Sequence, residues 1–167
     1  MDPHFDTGPI LAQGSVRIAD DDHGDALIEK LYPVVPGLVR QAIERVARGD
    51  PGDPQDDAEA TCAGLFEEEW RTIDWRRPAR AIHNQVRSWS LVGDDGQGTL
   101  GVIDGEPVRI ARTRLLRGGE VGAVPPGTVL ARTGDRLVVR CGDGPIEIVA
   151  WSRPEADVGA AAAVGST

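Results

Sequence analysis

The chain has 167 residues, 40% of them hydrophobic, with a formal net charge of -9 and a mean hydropathy of -0.26. That size allows one large domain or two small ones, with enough apolar content for soluble cores. No apolar run approaches the roughly 20 residues that cross a bilayer, and Met1-Asp2-Pro3-His4 lacks the basic and apolar regions of a secretory signal. The expectation is therefore a cytoplasmic protein without a membrane partner.

The charge is unevenly spread. Residues 1–74 hold 6 Lys/Arg against 17 Asp/Glu, a balance of -11, whereas residues 75–153 hold 12 Arg against 8 Asp/Glu, a balance of +4. A sign change near Trp75 predicts two units with different partners, the first repelling nucleic acid and the second able to tolerate it. Cys62 and Cys141 stand 79 positions apart without companion ligands, which predicts reduced thiols and not a staple or metal site.

The opening stretch, Asp2-Pro3-His4-Phe5-Asp6-Thr7-Gly8-Pro9, is a turn-rich loop leading into an apolar run. Asp6, with His4 two residues before it, is a candidate general acid or base if its surroundings tune it. The alternative is a turn-capping aspartate. Ile10 to Ile18 then alternates as a strand, with Gly14 as a possible bulge. Asp20-Asp21-Asp22 announces a helix start, where carboxylates complement the dipole, and His23 is expected in water.

Apolar residues recur at Leu27, Leu31, Val34, Val35, Leu38, Ala42, Ile43 and Val46 with helical spacing. Pro33 and Pro36 break the pattern, so one helix should end near Tyr32 and another run from about Pro36 to Arg48, both laid on a sheet. A lone strand has no ladder partner in residues 1–74. Gly49-Asp50-Pro51-Gly52-Asp53-Pro54 is a connector. Trp70 and Trp75 read as residues pinned by packing, with stacking on a ligand base as the rival.

Pro78 opens a third helix with Ile82, Val86 and Trp89 inward. Five short strand patterns follow, at 99–103, 107–116, 127–131, 136–140 and 146–151, separated by turn dipeptides such as Asp104-Gly105 and Gly134-Asp135. They predict a small OB-like β-barrel. Arg109, Arg112, Arg114 and Arg117 give it local basicity, and Arg112 and Arg114 share a face in an extended strand. Residues 154–167 read as a disordered tail.

Several of these stretches together resemble the folate-dependent formyltransferases. Phe5-Asp6-Thr7-Gly8-Pro9-Ile10-Leu11-Ala12-Gln13 is similar to that family's Asp-x-Gly-x-Ile-x-x-Gln segment. Pro54-Gln55-Asp56 resembles its Gln-Asp loop, Thr72-Ile73-Asp74-Trp75 its Ile-Asp-Trp linker, and Ile82–Arg87 the helix that follows. Pro126–Leu130 and Cys141-Gly142-Asp143-Gly144 resemble signatures of its C-terminal barrel, in the methionyl-tRNA type of enzyme.

The resemblance implies an α/β remnant of one strand and two to three helices from a Rossmann-like catalytic domain (residues 1–75, with a linker wrapped over it). An OB-like barrel (76–153) and the tail (154–167) complete the expected layout. It implies 10-formyltetrahydrofolate as formyl donor, Asp6 as the catalytic carboxylate, and His4, Phe5 and Asp6 at the pterin pocket. It further implies tRNA as a partner held by Arg109, Arg112 and Arg114, for which ordinary exposed arginines are the alternative. The family's Asn-x-His pair lies upstream of the aspartate loop, and the one asparagine here, Asn84, follows His83. The expectation is thus a downstream half that needs another polypeptide for catalysis. A non-catalytic RNA- or protein-binding module, and a truncated product of a longer gene, are the competing readings. Ser90-Leu91-Val92-Gly93 departs from the family's Asn-Pro-Trp-Pro run, which leaves the acceptor amine open.

Overall fold

A computed structural model describes residues 7–64, 67–89, 98–118 and 122–153. The chain divides into two compact units, Met1–Phe66 and Glu67–Thr167. The expected tail and Ser90–Gly93 lie outside the described residues.

The first unit contains α1 (Gly24–Leu31), α2 (Val35–Ala47) and a 3-10 turn, Asp57–Glu59. The helix break falls where Pro33 and Pro36 place it, with Pro36 in the first turn of α2. Gly49, in the left-handed region at φ +74°, ends α2 and sends the chain back towards the helix. The Asp50 N–H closes that turn on the Arg45 carbonyl at 3.0 Å.

No ladder forms over 10–18. Among the described residues Ile10 makes one antiparallel bridge, with Asp53, and the rest of the segment runs without strand pairing. The alternation that predicted a strand is real, but without a neighbouring strand its backbone groups cannot enter a sheet. Gly14 marks close approach instead of a bulge, since a Cβ there would lie 3.1 Å from Val34 Cγ1 and 3.3 Å from Leu38 Cδ1. His23 is also corrected: it is the N-cap of α1 and is buried, 6% exposed.

The second unit holds a 3-10 turn (Glu68–Arg71), α3 (Ala79–Ser88) and five strands: β1 (Thr99–Ile103), β2 (Glu106–Leu115), β3 (Val129–Thr133), β4 (Arg136–Arg140) and β5 (Pro145–Ser152). They form one antiparallel sheet in the order β1-β2-β5-β4-β3. Asp104 (φ 54°) and Gly105 (φ 82°) make the two-residue β1–β2 turn that an Asp-Gly pair favours. On the inner face Val108, Ile110, Leu137, Val139, Ile146 and Ile148 are buried, and α3 lays Ile82 and Val86 against them. His83 joins this core, its Nδ1 2.9 Å from Thr113 Oγ1 of β2.

Ile73 and Trp75 are buried in the same core, so the linker segment belongs to the second unit. Trp75 stands between the two edges of the sheet: Cβ atoms built at Gly101 and Gly127 would meet its ring at 3.3 and 3.1 Å. Its indole N–H donates to the Val102 carbonyl at 3.0 Å. Trp70, by contrast, is 66% exposed, which corrects the expectation that packing pins it. Its backbone N–H donates to the Glu67 carbonyl at 2.9 Å and its carbonyl accepts from Gln85 Nε2 at 2.6 Å.

The start of α3 is closed from across the sequence. Asp143 Oδ1 accepts the Ala79 N–H at 2.7 Å, and the Gly142 N–H donates to the Arg77 carbonyl at 2.9 Å. Next to them Cys141 is buried, and burial pushes its thiol up to about 12. Thiol labelling of the native chain at pH 8 should therefore modify exposed Cys62 and spare Cys141 until the second unit unfolds. Among the described residues no helix is long and apolar enough to cross a membrane.

Candidate functional site

Two arrangements stand out, one in each unit. In the second unit the sheet's outer face carries arginines. A regular strand would put Arg109 and Arg112 on opposite faces, three positions apart. The β2–β5 register shifts at Ala111 and again before Thr113, with Ile110 opposite Trp151, Arg112 opposite Ala150 and Thr113 opposite Ile148. The extra residue returns Arg109, Arg112 and Arg114 to the side opposite buried Val108, Ile110 and Thr113.

The three differ in surroundings. Arg112 and Arg114 are exposed, while Arg109 is half-buried and its Nη1 is a buried atom with no hydrogen-bond partner among the described residues. Arg114 Nη2 lies 2.5 Å from Glu147 Oε2 on β5, an ion pair off-axis for a hydrogen bond. On the other side of Glu147, Arg136 Nη1 of β4 is 3.6 Å from Oε1. Glu147 is thus a buried carboxylate between two half-exposed guanidinium groups. Sequence reasoning missed both Glu147 and Arg136, because only the strand order β2-β5-β4 brings them beside Arg114.

In the first unit the node is Arg45, near the end of α2. Its Nε and Nη2 donate to Asp50 at 2.8 and 3.1 Å, and its Nη1 and Nη2 to Asp53 at 2.9 and 3.0 Å. Nη1 also reaches the carbonyls of Leu11 (3.2 Å) and Ile10 (3.4 Å). Around it, Ile10 and Asp53 exchange backbone hydrogen bonds of 2.8 and 3.0 Å, and Gln55 Nε2 donates to the Gly8 carbonyl at 2.7 Å. Gly52 (φ +92°) lets the two loops touch, since a Cβ there would be 3.0 Å from Ile10 O. Hydrogen bonds from Arg45 hold both carboxyls below the usual carboxylate range. The sequence signal was present, an arginine followed by Asp50 and Asp53 across a turn, but it read only as a connector.

Because Asp50 and Asp53 are depressed, their contribution is complete above the unfolded value near 3.9. It is lost as pH falls through their lower folded values. The protection factor at the Ile10 amide, referred to the free-peptide rate at each pH, should hold from neutral pH down through about pH 4 and fall only below it. The other charge acting on Asp50 is Arg48, which also lowers it.

His4, Phe5 and Asp6 lie outside the described residues. What the structure does describe is the segment that follows Asp6, seated on the 50–55 loop. Among the described residues no group of three His, Cys, Asp or Glu side chains could hold a metal ion.

Residues 66–162 match the family model described as "Formyl transferase, C-terminal domain". This chain belongs to the formyltransferase family. It is 37% identical over 150 residues to a methionyl-tRNA formyltransferase of Pelobacter propionicus, covering 89% of the chain and 44% of that protein. With the enzyme of the same name from Sorangium cellulosum it shares 34% over 153 residues, 89% of the chain and 47% of the relative. This chain thus spans about half the length of the curated relatives it matches.

Among solved structures it is similar in fold to a HypX variant from Aquifex aeolicus, with a TM-score of 0.66 at 21% identity over 92% of this chain and 27% of that one. HypX in complex with tetrahydrofolic acid gives a TM-score of 0.61 at 22% identity over 92% of this chain and 26% of that one.

Proposed function

We propose that this chain takes part in transferring a formyl group from 10-formyltetrahydrofolate to an amine, with methionyl-tRNA as the acceptor. In this reading Asp6 sits beside the formyl carbon. It orients a water or relays the proton released as the amine nitrogen bonds to that carbon and the folate nitrogen leaves. His4 and Phe5, with the backbone before them, line the pterin pocket. Arg112 and Arg114, with Arg109 behind them, meet tRNA phosphates. Residues 1–75 are catalytic-domain remnant plus linker, the linker being the part packed in the second unit's core. The sheet of the second unit, curled around Trp75 with Arg132 of β3 3.4 Å from Asp104 of the β1–β2 turn, supports an OB-like barrel.

The observation that carries this reading is the half-used face of α2. Val34, Leu38 and Ala42 are partly covered, but Val35, Val39, Ile43 and Val46 are 49%, 51%, 63% and 59% exposed. Ile28 and Leu31 of α1 and Tyr32, its C-cap, are exposed as well, and in the described part of the first unit only His23 and Gly24 are buried. Each such aliphatic side chain gains about 1.5–3 kcal/mol on full burial, so a helix pair patterned this way fits a larger apolar layer. Within these 167 residues the one asparagine, Asn84, lies on α3. The oxyanion and general-acid groups are therefore assigned to a further polypeptide segment that covers this face.

The test is reconstitution. The chain is mixed with a separately expressed upstream half of the Pelobacter propionicus relative, and formyl transfer to methionyl-tRNA from 10-formyltetrahydrofolate is measured. Activity that needs both pieces supports the proposal. Two pieces that associate yet transfer no formyl group would refute it.

A further inference from the structure

We infer that Arg45 is the positioning residue of segment 7–13, which follows Asp6 directly in the chain, an inference that rests on the folate reading above for its functional half. Ile10 and Leu11 stand four and five residues after Asp6. Beyond the segment 7–13, the clamp consists of Arg45, Asp50, Asp53 and Gln55.

The guanidinium is used as a fork. Its five N–H groups meet two carboxylates, each from two nitrogens, and one nitrogen is shared with the Ile10 and Leu11 carbonyls. Asp50 is itself fixed by the Gly52 N–H at 3.0 Å, inside the turn that ends α2. A rigid helix end, a planar fork and two fixed carboxylates thus register the segment against the helix. A lysine could supply the charge but not the planar set of donors. Half-buried Arg45, with 16% of its side-chain surface accessible, would also leave both aspartates facing each other if its charge were removed. Gln55 Nε2 donates to the Gly8 carbonyl, upstream of the fork, and its neutral amide cannot replace the guanidinium charge.

The experiment compares the full chain with Arg45→Gln and Arg45→Lys by amide exchange and, each mixed with the upstream half used above, by tetrahydrofolate titration. In R45Q, protection at the Ile10 and Asp53 amides should fall at least about tenfold, with α2 and the second unit unchanged. Tetrahydrofolate affinity should fall about tenfold as well. R45K should lie closer to R45Q than to the native chain in both readouts. Native protection in R45Q, or native behaviour of R45K, would overturn the inference. So would equal tetrahydrofolate affinity for the native chain and R45Q. If the reconstituted native pair fails to bind tetrahydrofolate at all, the folate reading falls, and exchange alone then decides Arg45: lost protection upholds the clamp and retained protection overturns it.

Discussion

Replacing Gly142 with alanine should destabilise the second unit by roughly 3 kcal/mol, read as a fall in Tm on the order of 15 °C. The reason is local and backbone against backbone. A Cβ at Gly142 would overlap the Arg76 carbonyl oxygen, with the Arg76 carbonyl carbon at 2.9 Å and the Arg77 oxygen at 3.1 Å. No flexible side chain is available to yield, so the loop itself must move. Moving it breaks the Gly142–Arg77 hydrogen bond and withdraws Asp143 from the Ala79 N–H. Loss of such a cap alone costs about 1 kcal/mol, and the first turn of α3 carries Ala79 and Ile82 into the core. Gly144 is the control two residues away. Nothing lies within 4 Å of a Cβ there, so Gly144→Ala should stay within about 0.5 kcal/mol of the native chain. Equal Tm values for the two variants would show that the loop does not close α3.

The second large effect concerns the arginine face. Reversing Arg112 and Arg114 to glutamate should weaken tRNA binding on the order of 100-fold near 0.1 M salt and flatten the slope of log affinity against log salt by about 1.5. Both side chains are exposed on the same side of β2, so each is placed to release a counterion from a phosphate. Arg114→Glu would also face Glu147 across the β2–β5 pair, a like-charge contact that costs some stability. Arg114→Gln avoids that contact and should still lower the slope by nearly one unit. Unchanged affinity and unchanged slope in both variants would remove the nucleic-acid role from this face.

Most of the second unit was legible because its rules are short-range. Asp104-Gly105 dictates a two-residue turn, and alternation in Arg136–Arg140 puts Leu137 and Val139 inside. What escaped the sequence were contacts set by distant pairing. Asp143 stood in the sequence as part of a barrel signature, and it is also the acceptor for a helix 64 positions earlier. Glu147 gained two arginines through strand order alone. In the first unit the strand expected over 10–18 failed for want of a neighbouring strand, and the segment settled on α2 and Arg45 instead. Trp70 read like Trp75, but only Trp75 had two glycines, Gly101 and Gly127, to receive its ring. The family was readable from motifs in order along the chain, whereas the Arg45 fork needed coordinates to be seen.

The central claim is that the acid at position 6 takes part in formyl transfer. Its most direct test is kcat for Asp6→Asn in the reconstituted reaction, with circular dichroism confirming that the variant folds. The account predicts a loss of roughly 1,000-fold with association of the two pieces unchanged. A variant that retains native kcat would contradict it.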